Sequence, residues 1–246
     1  MFMNSKLLTI KQTAEILGVT TQTMRRWDKS GRLSSIRGKN NYRYYKKDEI
    51  ENYIKNNPKD FFQLAKIWNM SDLGVAPRPD FYCADSSVFK ARSSRLTSEL
   101  REIKKLSKIY SLIGLIVGEI GNNSFDHNLG NWPDVPGIFF AYNLEKKQIV
   151  LADRGQGILS TLKKVKPALK NHEQALKTAF TEIISGRAPE SRGNGLKSVR
   201  QVVADNEISL FFQTGNAQLK IKKKDSNLNI KKSKINFHGC LAMIKF

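Results

Sequence analysis

The sequence of 246 residues has little cysteine, few acidic residues and no long hydrophobic run. Its two cysteines, Cys83 and Cys240, match neither a metal-binding spacing nor a disulfide framework, so we expect inert thiols in a reducing cytosol. The longest apolar run, residues 112–118, ends at Glu119 and is too short to span a bilayer. The first residues show no charged leader followed by an apolar stretch. We therefore expect no export signal, no membrane partner and a cytoplasmic location.

Acidic side chains are outnumbered, since 42 Lys and Arg stand against 22 Asp and Glu and the net charge is +20. This excess favours a polyanionic partner, which is a nucleic acid, an acidic protein or an anionic membrane surface; a solvated basic surface also accounts for it. The first sixty residues hold 13 of the basic and 6 of the acidic side chains, so the charge is spread along the chain. The place of contact must therefore be found from motifs.

Two short helices are predicted near the start of the chain. Thr9 can cap a helix over residues 10–17 that ends at Gly18, and Thr20 can cap a second helix that ends at about Lys29. This arrangement is the helix-turn-helix pattern. Helical periodicity places Met24 and Trp27 toward the core, and it places four polar side chains on the opposite face: Gln22, Arg25, Arg26 and Lys29. A recognition helix presents such a face to base edges and phosphates.

A basic hairpin is predicted directly after these helices. Residues 35–45 contain Gly38 and Asn40-Asn41, which tolerate a tight turn, and basic and aromatic residues flank them. Such a hairpin is typical of a wing laid along the DNA backbone. A third helix is expected from Asp48 to about Lys55.

Residues 8–54 resemble a winged helix-turn-helix of the MerR or excisionase type. The resemblance rests on residues 14–20, 23–27, 31–33 and 42–45. It implies binding of double-stranded DNA by five residues: Gln22, Arg25 and Arg26 on the helix, and Arg37 and Arg43 on the wing. A helical hairpin used for protein contacts is the alternative. MerR-type regulators usually continue into a long dimerisation helix, whereas Asn56-Asn57-Pro58 interrupts this chain.

Three segments of the later sequence carry candidate site residues. Glu119, Asn123 and Asp126 follow helical spacing, so one helix face would suit a hydrated cation and an attacking water, or be an ordinary solvated helix end. Residues 148–152 read as a buried strand that ends in Asp153-Arg154-Gly155-Gln156-Gly157. Gly193-Asn194-Gly195-Leu196 precedes a helix, and glycines that open a helix can direct backbone N–H groups at phosphate.

In this order, the three segments resemble the motifs of the GHKL (gyrase, chaperone, histidine kinase and MutL; Bergerat-type) ATPases over residues 90–246. The resemblance implies an α/β fold, an α+β sandwich of the Bergerat type with a mixed sheet, that binds ATP and Mg²⁺. Its N-box matches Glu119, Asn123, Asp126 and His127, with Asn123 as a Mg²⁺ ligand and Glu119 activating water if hydrolysis occurs. Its glycine boxes match two groups: Asp153, Gly155 and Gly157 at the adenine, and Gly193, Gly195 and Leu196 at the phosphates.

The sequence therefore predicts residues 1–57 as a DNA-binding domain, 58–80 as a linker with a helix over Phe61–Met70, and 81–246 as an ATP-binding domain. Within the last, the spacing of apolar residues from Leu96 to Val117 predicts one long helix. A lid is expected over about residues 159–192, with a helix over 173–184. A hairpin turn is expected at Gly215-Asn216, a closing strand over 240–246, and a solvated hairpin with seven lysines over 220–234.

Three functions remain open at this point. The first is a DNA-binding regulator whose ATP site acts as a switch. The second is a serine/threonine protein kinase similar to the anti-sigma partner-switching kinases, and a weaker third is an accessory factor of a mobile element or phage-defence system. A histidine kinase is disfavoured, because none of the three histidines lies on a dimerising helix before the N-box. We expect a homodimer and an acidic protein as a further possible partner.

Overall fold

The computed structural model describes residues 7–17, 19–56, 60–72, 74–184 and 194–246. The chain divides into two compact units, Met1–Ile67 and Trp68–Phe246. In the described ranges no helix is both long and apolar enough to cross a membrane.

The first unit combines helices with a small antiparallel sheet in the order β1-β3-β2. Its elements are β1 (Leu7–Thr9), α1 (Ile10–Leu17), α2 (Thr21–Lys29), β2 (Ile36–Arg37), β3 (Arg43–Lys46) and α3 (Lys47–Asn56). The two predicted helices and the hairpin are confirmed, and α3 begins one residue earlier than expected. Gly18, the predicted end of α1, lies outside the described residues.

Side-chain caps explain where the first two helices begin. The Thr9 hydroxyl accepts from the Gln12 N–H at 3.3 Å, and the Gln12 side chain accepts from the Thr9 N–H at 2.9 Å, which forms a capping box. The Thr20 hydroxyl accepts from the Thr23 N–H at 3.1 Å. Because each cap satisfies an N–H that the helix leaves unpaired, α1 and α2 begin at fixed residues.

The turn of the wing lies at Gly38 and Asn41, two of the residues from which a tight turn was predicted. The Gly38 N–H donates to the Tyr42 carbonyl at 3.0 Å, and the Asn41 N–H donates to the Gly38 carbonyl at 3.0 Å. Asn41 has a φ of 58°, in the left-handed region that asparagine tolerates better than most residues. The turn therefore holds β2 and β3 in register.

The predicted helix α4 (Phe61–Met70) is confirmed, and the division between the units falls within it. The second unit then contains β4 (Tyr82–Cys83), α5 (Ser86–Arg101), a 3-10 turn (Lys104–Leu106), α6 (Tyr110–Asn128), β5 (Ile138–Asn143), β6 (Gln148–Asp153), α7 (Gly157–Lys163), α8 (His172–Thr181), α9 (Gly195–Asp205), β7 (Ser209–Ile221) and β8 (Asn229–Lys245). Its sheet has the order β4-β5-β6-β8-β7. One apolar core joins the sheet to α5, α6, α8 and α9.

The described sheet is antiparallel at every pair of strands, which corrects the expected mixed sheet. Short connections explain the direction of two of these pairs. A turn of four residues, 144–147, joins β5 to β6, and residues 222–228 join β7 to β8. Connections this short return the chain beside the strand that it has just left, whereas parallel neighbours need a crossover of a dozen residues or more.

Two further expectations are wrong. The apolar spacing from Leu96 to Val117 belongs to two helices, because α5 ends at Arg101 and α6 begins at Tyr110. Both helices turn an apolar stripe to the same core, so the spacing continues across the break. Gly215-Asn216 is not a hairpin turn: β7 continues through it, and Gly215, with φ of 51°, lies at a shift in the register with β8.

The remaining strand expectations and one helix are confirmed with small changes. The 240–246 strand is the last part of β8, and the lysine-rich segment is the hairpin between β7 and β8. The helix expected over 173–184 is α8, His172–Thr181. Residues 185–192, the last part of the expected lid, lie outside the described residues.

Candidate functional site

The exposed face of α2 is formed by the polar residues that the helical periodicity selected. Met24 is fully buried, whereas Gln22, Arg25, Arg26 and Lys29 are exposed. Trp27 is half-buried; its ring lies 5.5 Å from the Tyr53 ring, and the Arg32 guanidinium lies 4.5 Å from the Trp27 ring centre. Within the described residues, neither Arg25 nor Arg26 forms an ion pair, so both charges are available to a ligand.

The two wing arginines differ from Arg25 and Arg26, because both form ion pairs with Asp28 near the end of α2. Arg43 Nε lies 2.7 Å from Asp28 Oδ2, and Arg37 Nη2 lies 3.3 Å from the same oxygen. The other oxygen accepts from the Ser35 N–H at 2.7 Å. Burial alone would raise the pKa of Asp28, but the hydrogen bonds from Arg43 and Ser35 outweigh it and lower the pKa. Asp28 therefore fastens the wing to α2.

A pocket in the second unit brings together residues that the sequence separates widely. Of the predicted residues, six line it: Asn123, His127, Asp153, Gly157, Gly195 and Leu196. They come from α6, from the end of β6 and the start of α7, and from the start of α9. Asp126 is exposed and does not line the pocket, and Gly193 lies outside the described residues. Glu119 and Gly155 do not line the pocket either, but each contacts a residue that does, Gly195 and Asn128 respectively.

The polar floor of this pocket is the carboxyl group of Asp153, which is 2% exposed. The Ser124 hydroxyl donates to its Oδ2 at 2.8 Å, and the Gly155 N–H donates to its Oδ1 at 2.9 Å. Burial raises the pKa of Asp153 to about 6, although hydrogen bonds from Ser124, Gly155 and Cys240 oppose the rise. The carboxylate is thus a buried acceptor that is ionised at neutral pH and only partly satisfied.

A glycine is required at 155 because the Asn128 side chain approaches closely, and at 157 because the backbone has a positive φ. A Cβ on Gly155 would overlap the Asn128 side chain, whose Oδ1 accepts from the Gln156 N–H at 2.8 Å. Gly157 has a φ of +74°, which side chains disfavour, and it begins α7 beside Thr214. The two glycines let the chain turn from β6 into α7 along the wall of the pocket.

Elsewhere in the lining of the pocket, α6 meets the first turn of α9. A Cβ on Gly195 would overlap the carboxylate of Glu119, and Asn123 Nδ2 would lie 3.4 Å from it. Glu119 and Asn123 therefore face the amino end of α9, where free backbone N–H groups and the helix dipole favour an anion. The structure thus places the acidic and amide groups of α6 beside the glycine that opens α9.

Metal-binding clusters of three or more His, Cys, Asp or Glu side chains are absent from the part of the chain that the structure describes. Asn123 and Glu119 are oxygen donors of the kind that Mg²⁺ prefers.

Sequence reasoning missed several residues of the pocket and of the wing. Ser124, which donates to Asp153, lies directly after Asn123 but has no charge to mark it. Cys240, expected to be inert, lines the pocket, and burial raises the pKa of its thiol well above the usual value, which keeps it protonated. Asp28 was detectable in principle, because it is the only acidic residue between Glu15 and Asp48.

Comparison with known proteins agrees with the geometry of the first unit. The family described as "MerR family regulatory protein" matches residues 9–45. The chain is also 49% identical over 45 residues to the Type II methyltransferase M.Eco47II of Escherichia coli, an alignment that covers 18% of this chain and 11% of that protein. The chain thus spans about a tenth of the length of this curated relative. The first unit carries a MerR-like helix-turn-helix, and this similarity supports a DNA-binding regulatory role.

Proposed function

We propose that the protein is an ATP-binding, DNA-binding regulator in which a GHKL-type nucleotide site in the second unit modulates the helix-turn-helix. The observation that carries the nucleotide assignment is the pocket itself. It is lined by a buried carboxylate, Asp153, by Gly195 at the amino end of α9, and by Asn123, which lies on α6 beside that end. A buried acceptor together with an anion-binding helix end suits a purine nucleotide with its phosphates.

The buried end of the pocket suits adenine. Asp153 is an acceptor, and the exocyclic amino group of adenine is a donor, whereas guanine carries an oxygen at the equivalent position. Apolar residues also line the pocket, among them Leu151, Ile158 and Leu162, and an aromatic base can bury its faces against them. A guanine oxygen would meet a buried carboxylate, so this end of the pocket favours ATP over GTP.

The other end of the pocket suits the phosphates and Mg²⁺. Backbone N–H groups at Gly195 and Leu196 would bind phosphate oxygens, and Asn123 would ligate the ion. A bound Mg²⁺ would neutralise phosphate charge, and the residues of the chain would orient it. Glu119, beside Gly195, would hold and deprotonate a water if the nucleotide is hydrolysed.

The first unit would bind double-stranded DNA through the exposed face of α2. Arg25 and Arg26 are charged and exposed, and Gln22 on the same face can read a base edge. A homodimer that forms or closes when ATP binds would present two recognition helices to two half-sites. Nucleotide binding would then change DNA affinity, and the net charge of +20 would support the approach to DNA.

Calorimetry of the full chain with ATP and Mg²⁺ tests the nucleotide site. The Asp153→Asn variant offers an N–H₂ group where an acceptor is needed, so its affinity for ATP should fall by about tenfold or more. Asp205→Asn is the matched control, because Asp205 is exposed at the far end of α9. Equal ATP affinity in the wild type and in Asp153→Asn would remove the proposed adenine site.

A further inference from the structure

Asn69, near the end of α4, contacts the backbone directly behind Asp153. Its side-chain Nδ2 donates to the Asp153 carbonyl at 2.8 Å and to the Cys240 carbonyl at 3.1 Å. Asp153 is the last residue of β6, and Cys240 is its cross-strand partner on β8. Asn69 is fully buried, so one amide group fixes both strands at the level where the pocket begins.

The chemistry of this contact requires an amide. Only the N–H₂ group has two hydrogens for two carbonyl oxygens, so the orientation of the Asn69 amide is determined by its partners. Its Oδ1 is buried and, within the described residues, has no hydrogen-bond partner. A buried acceptor without a partner lowers stability, so it offsets part of what the two donated hydrogen bonds contribute. The clearest consequence of these two bonds is the position that they impose on the backbone of Asp153.

The residue after Asp153 is held by the same turn of α4. Arg154, only 1% exposed, donates from Nη1 to the Trp68 carbonyl at 2.6 Å and from Nε to Asp134 at 2.9 Å. The Trp68 ring in turn donates from Nε1 to the Val75 carbonyl at 2.7 Å. The backbone on both sides of the Asp153–Arg154 peptide is thus fixed from behind, while the Asp153 carboxylate faces the pocket.

We propose that Asn69 is a positioning residue for the nucleotide site, which sets the backbone of Asp153 so that its carboxylate meets the amino group of adenine. This inference rests on the proposed function and deepens it. Asn69 acts through Asp153 and reaches neither the nucleotide nor the amino end of α9. Its loss should therefore weaken recognition of the base and leave the affinity for the phosphates unchanged.

Calorimetry of the full chain with ATP and with GTP, both with Mg²⁺, separates these two effects. In Asn69→Leu the dissociation constant for ATP should rise about tenfold, which corresponds to the loss of a hydrogen bond to a charged group. The constant for GTP, which is bound by its phosphates, should change by less than about twofold. Asn69→Ala repeats the test without a larger side chain, in case the leucine prevents folding.

Asn206→Ala is the matched control. The Asn206 amide also donates to a backbone carbonyl, that of Val202 at 2.8 Å, but at the carboxyl end of α9. It should change neither constant. Equal losses of ATP and GTP affinity in the Asn69 variants would show a merely structural role and overturn the inference, as would unchanged ATP affinity. If the wild type itself does not prefer ATP to GTP, the adenine site of the proposed function fails and the inference falls with it.

Discussion

The two units place their candidate functional groups in opposite surroundings. On α2 of the first unit, Arg25 and Arg26 are exposed above a core that contains the buried Met24. In the second unit, Asp153 is 2% exposed and its pKa is raised to about 6. A surface that binds phosphate by charge needs little desolvation, whereas a pocket that reads a base needs a buried acceptor. The first kind of site costs the unliganded fold little; the second kind destabilises it.

The largest effect is expected at Glu119, beside the amino end of α9. Glu119→Gln should retain ATP binding and lower hydrolysis by about 10²–10⁴-fold, because an amide cannot accept the proton of the attacking water. The measurement is phosphate release under saturating ATP, with ATP affinity determined in parallel. Equal rates in both proteins would remove Glu119 from the mechanism. Absence of hydrolysis in the wild type would mean that a switch operates by binding and release.

The stability cost of the buried carboxylate gives the next effect. The pKa of Asp153 in the folded protein, about 6, lies above the ordinary value of 3.8. As far as this group is concerned, the free energy of unfolding is therefore highest below pH 3.8, and it falls as the pH rises through 6. Above that pH the charged group costs about 3 kcal/mol. Without nucleotide, Asp153→Asn should therefore be more stable than the wild type at pH 7.5, with a smaller gain at pH 5.

Urea unfolding of both proteins at the two pH values measures this difference. Asp205→Asn should unfold like the wild type at each pH, because its carboxylate is exposed. An Asp153→Asn variant that is less stable than the wild type at pH 7.5 would contradict the account of a buried, costly acceptor.

The wing belongs to the first unit, but its Arg43 forms an ion pair with Asp28, which Arg25 and Arg26 on α2 do not. Substitutions at these arginines therefore provide a finer test of the comparison. Arg25→Ala and Arg26→Ala should each weaken DNA binding by about tenfold and lower the salt slope by about one, with little change in stability. Arg43→Ala should also lower the melting temperature, because it breaks the 2.7 Å contact with Asp28, whose side chain is 12% exposed. Thermal unfolding and gel shifts at several salt concentrations distinguish the two classes. Equal stability of all three variants would show that Asp28 does not hold the wing.

The smallest effect is expected at Asp126. The N-box resemblance includes this residue, but the structure leaves it exposed and outside the pocket lining. Asp126→Asn should therefore change ATP affinity by less than about twofold. A loss comparable to that of Asp153→Asn in the same calorimetric titration would mean that the motif places Asp126 correctly and that the pocket is larger than its present lining.

Local patterns were sufficient where one segment decides the structure. The caps at Thr9 and Thr20, the Gly38–Asn41 turn and the buried strand at 148–152 are of this kind, and all are confirmed. The pocket needed more, because Asn123, Asp153 and Gly195 come together only through the packing of α6 and α9 with the sheet. The resemblance named Asn123, Asp153 and Gly195, which line the same pocket, but it did not include Ser124, Cys240 or Asn69.

The wrong expectations share a physical cause. An apolar stripe records which face is buried and not whether the helix is continuous, so the break between Arg101 and Tyr110 left no trace in the spacing. A glycine that allows a positive φ allows a hairpin turn and a bulge equally, and the long pairing of β7 with β8 decided in favour of the bulge at Gly215. At Gly215, local sequence rules allowed either a hairpin turn or a bulge, and the long-range pairing of β7 with β8 determined that a bulge forms.

Reciprocal titration tests the central claim, that nucleotide at Asp153 modulates DNA binding, most directly. Gel shifts with a DNA duplex selected by the full chain give its affinity with and without ATP and Mg²⁺, and calorimetry gives ATP affinity with and without that duplex. Linkage requires that each ligand change the affinity of the other by the same factor, typically about 5–150-fold. We expect this common factor in the wild type and its loss in Asp153→Asn. Affinities that are unchanged in all four measurements would contradict it and leave two independent domains on one chain.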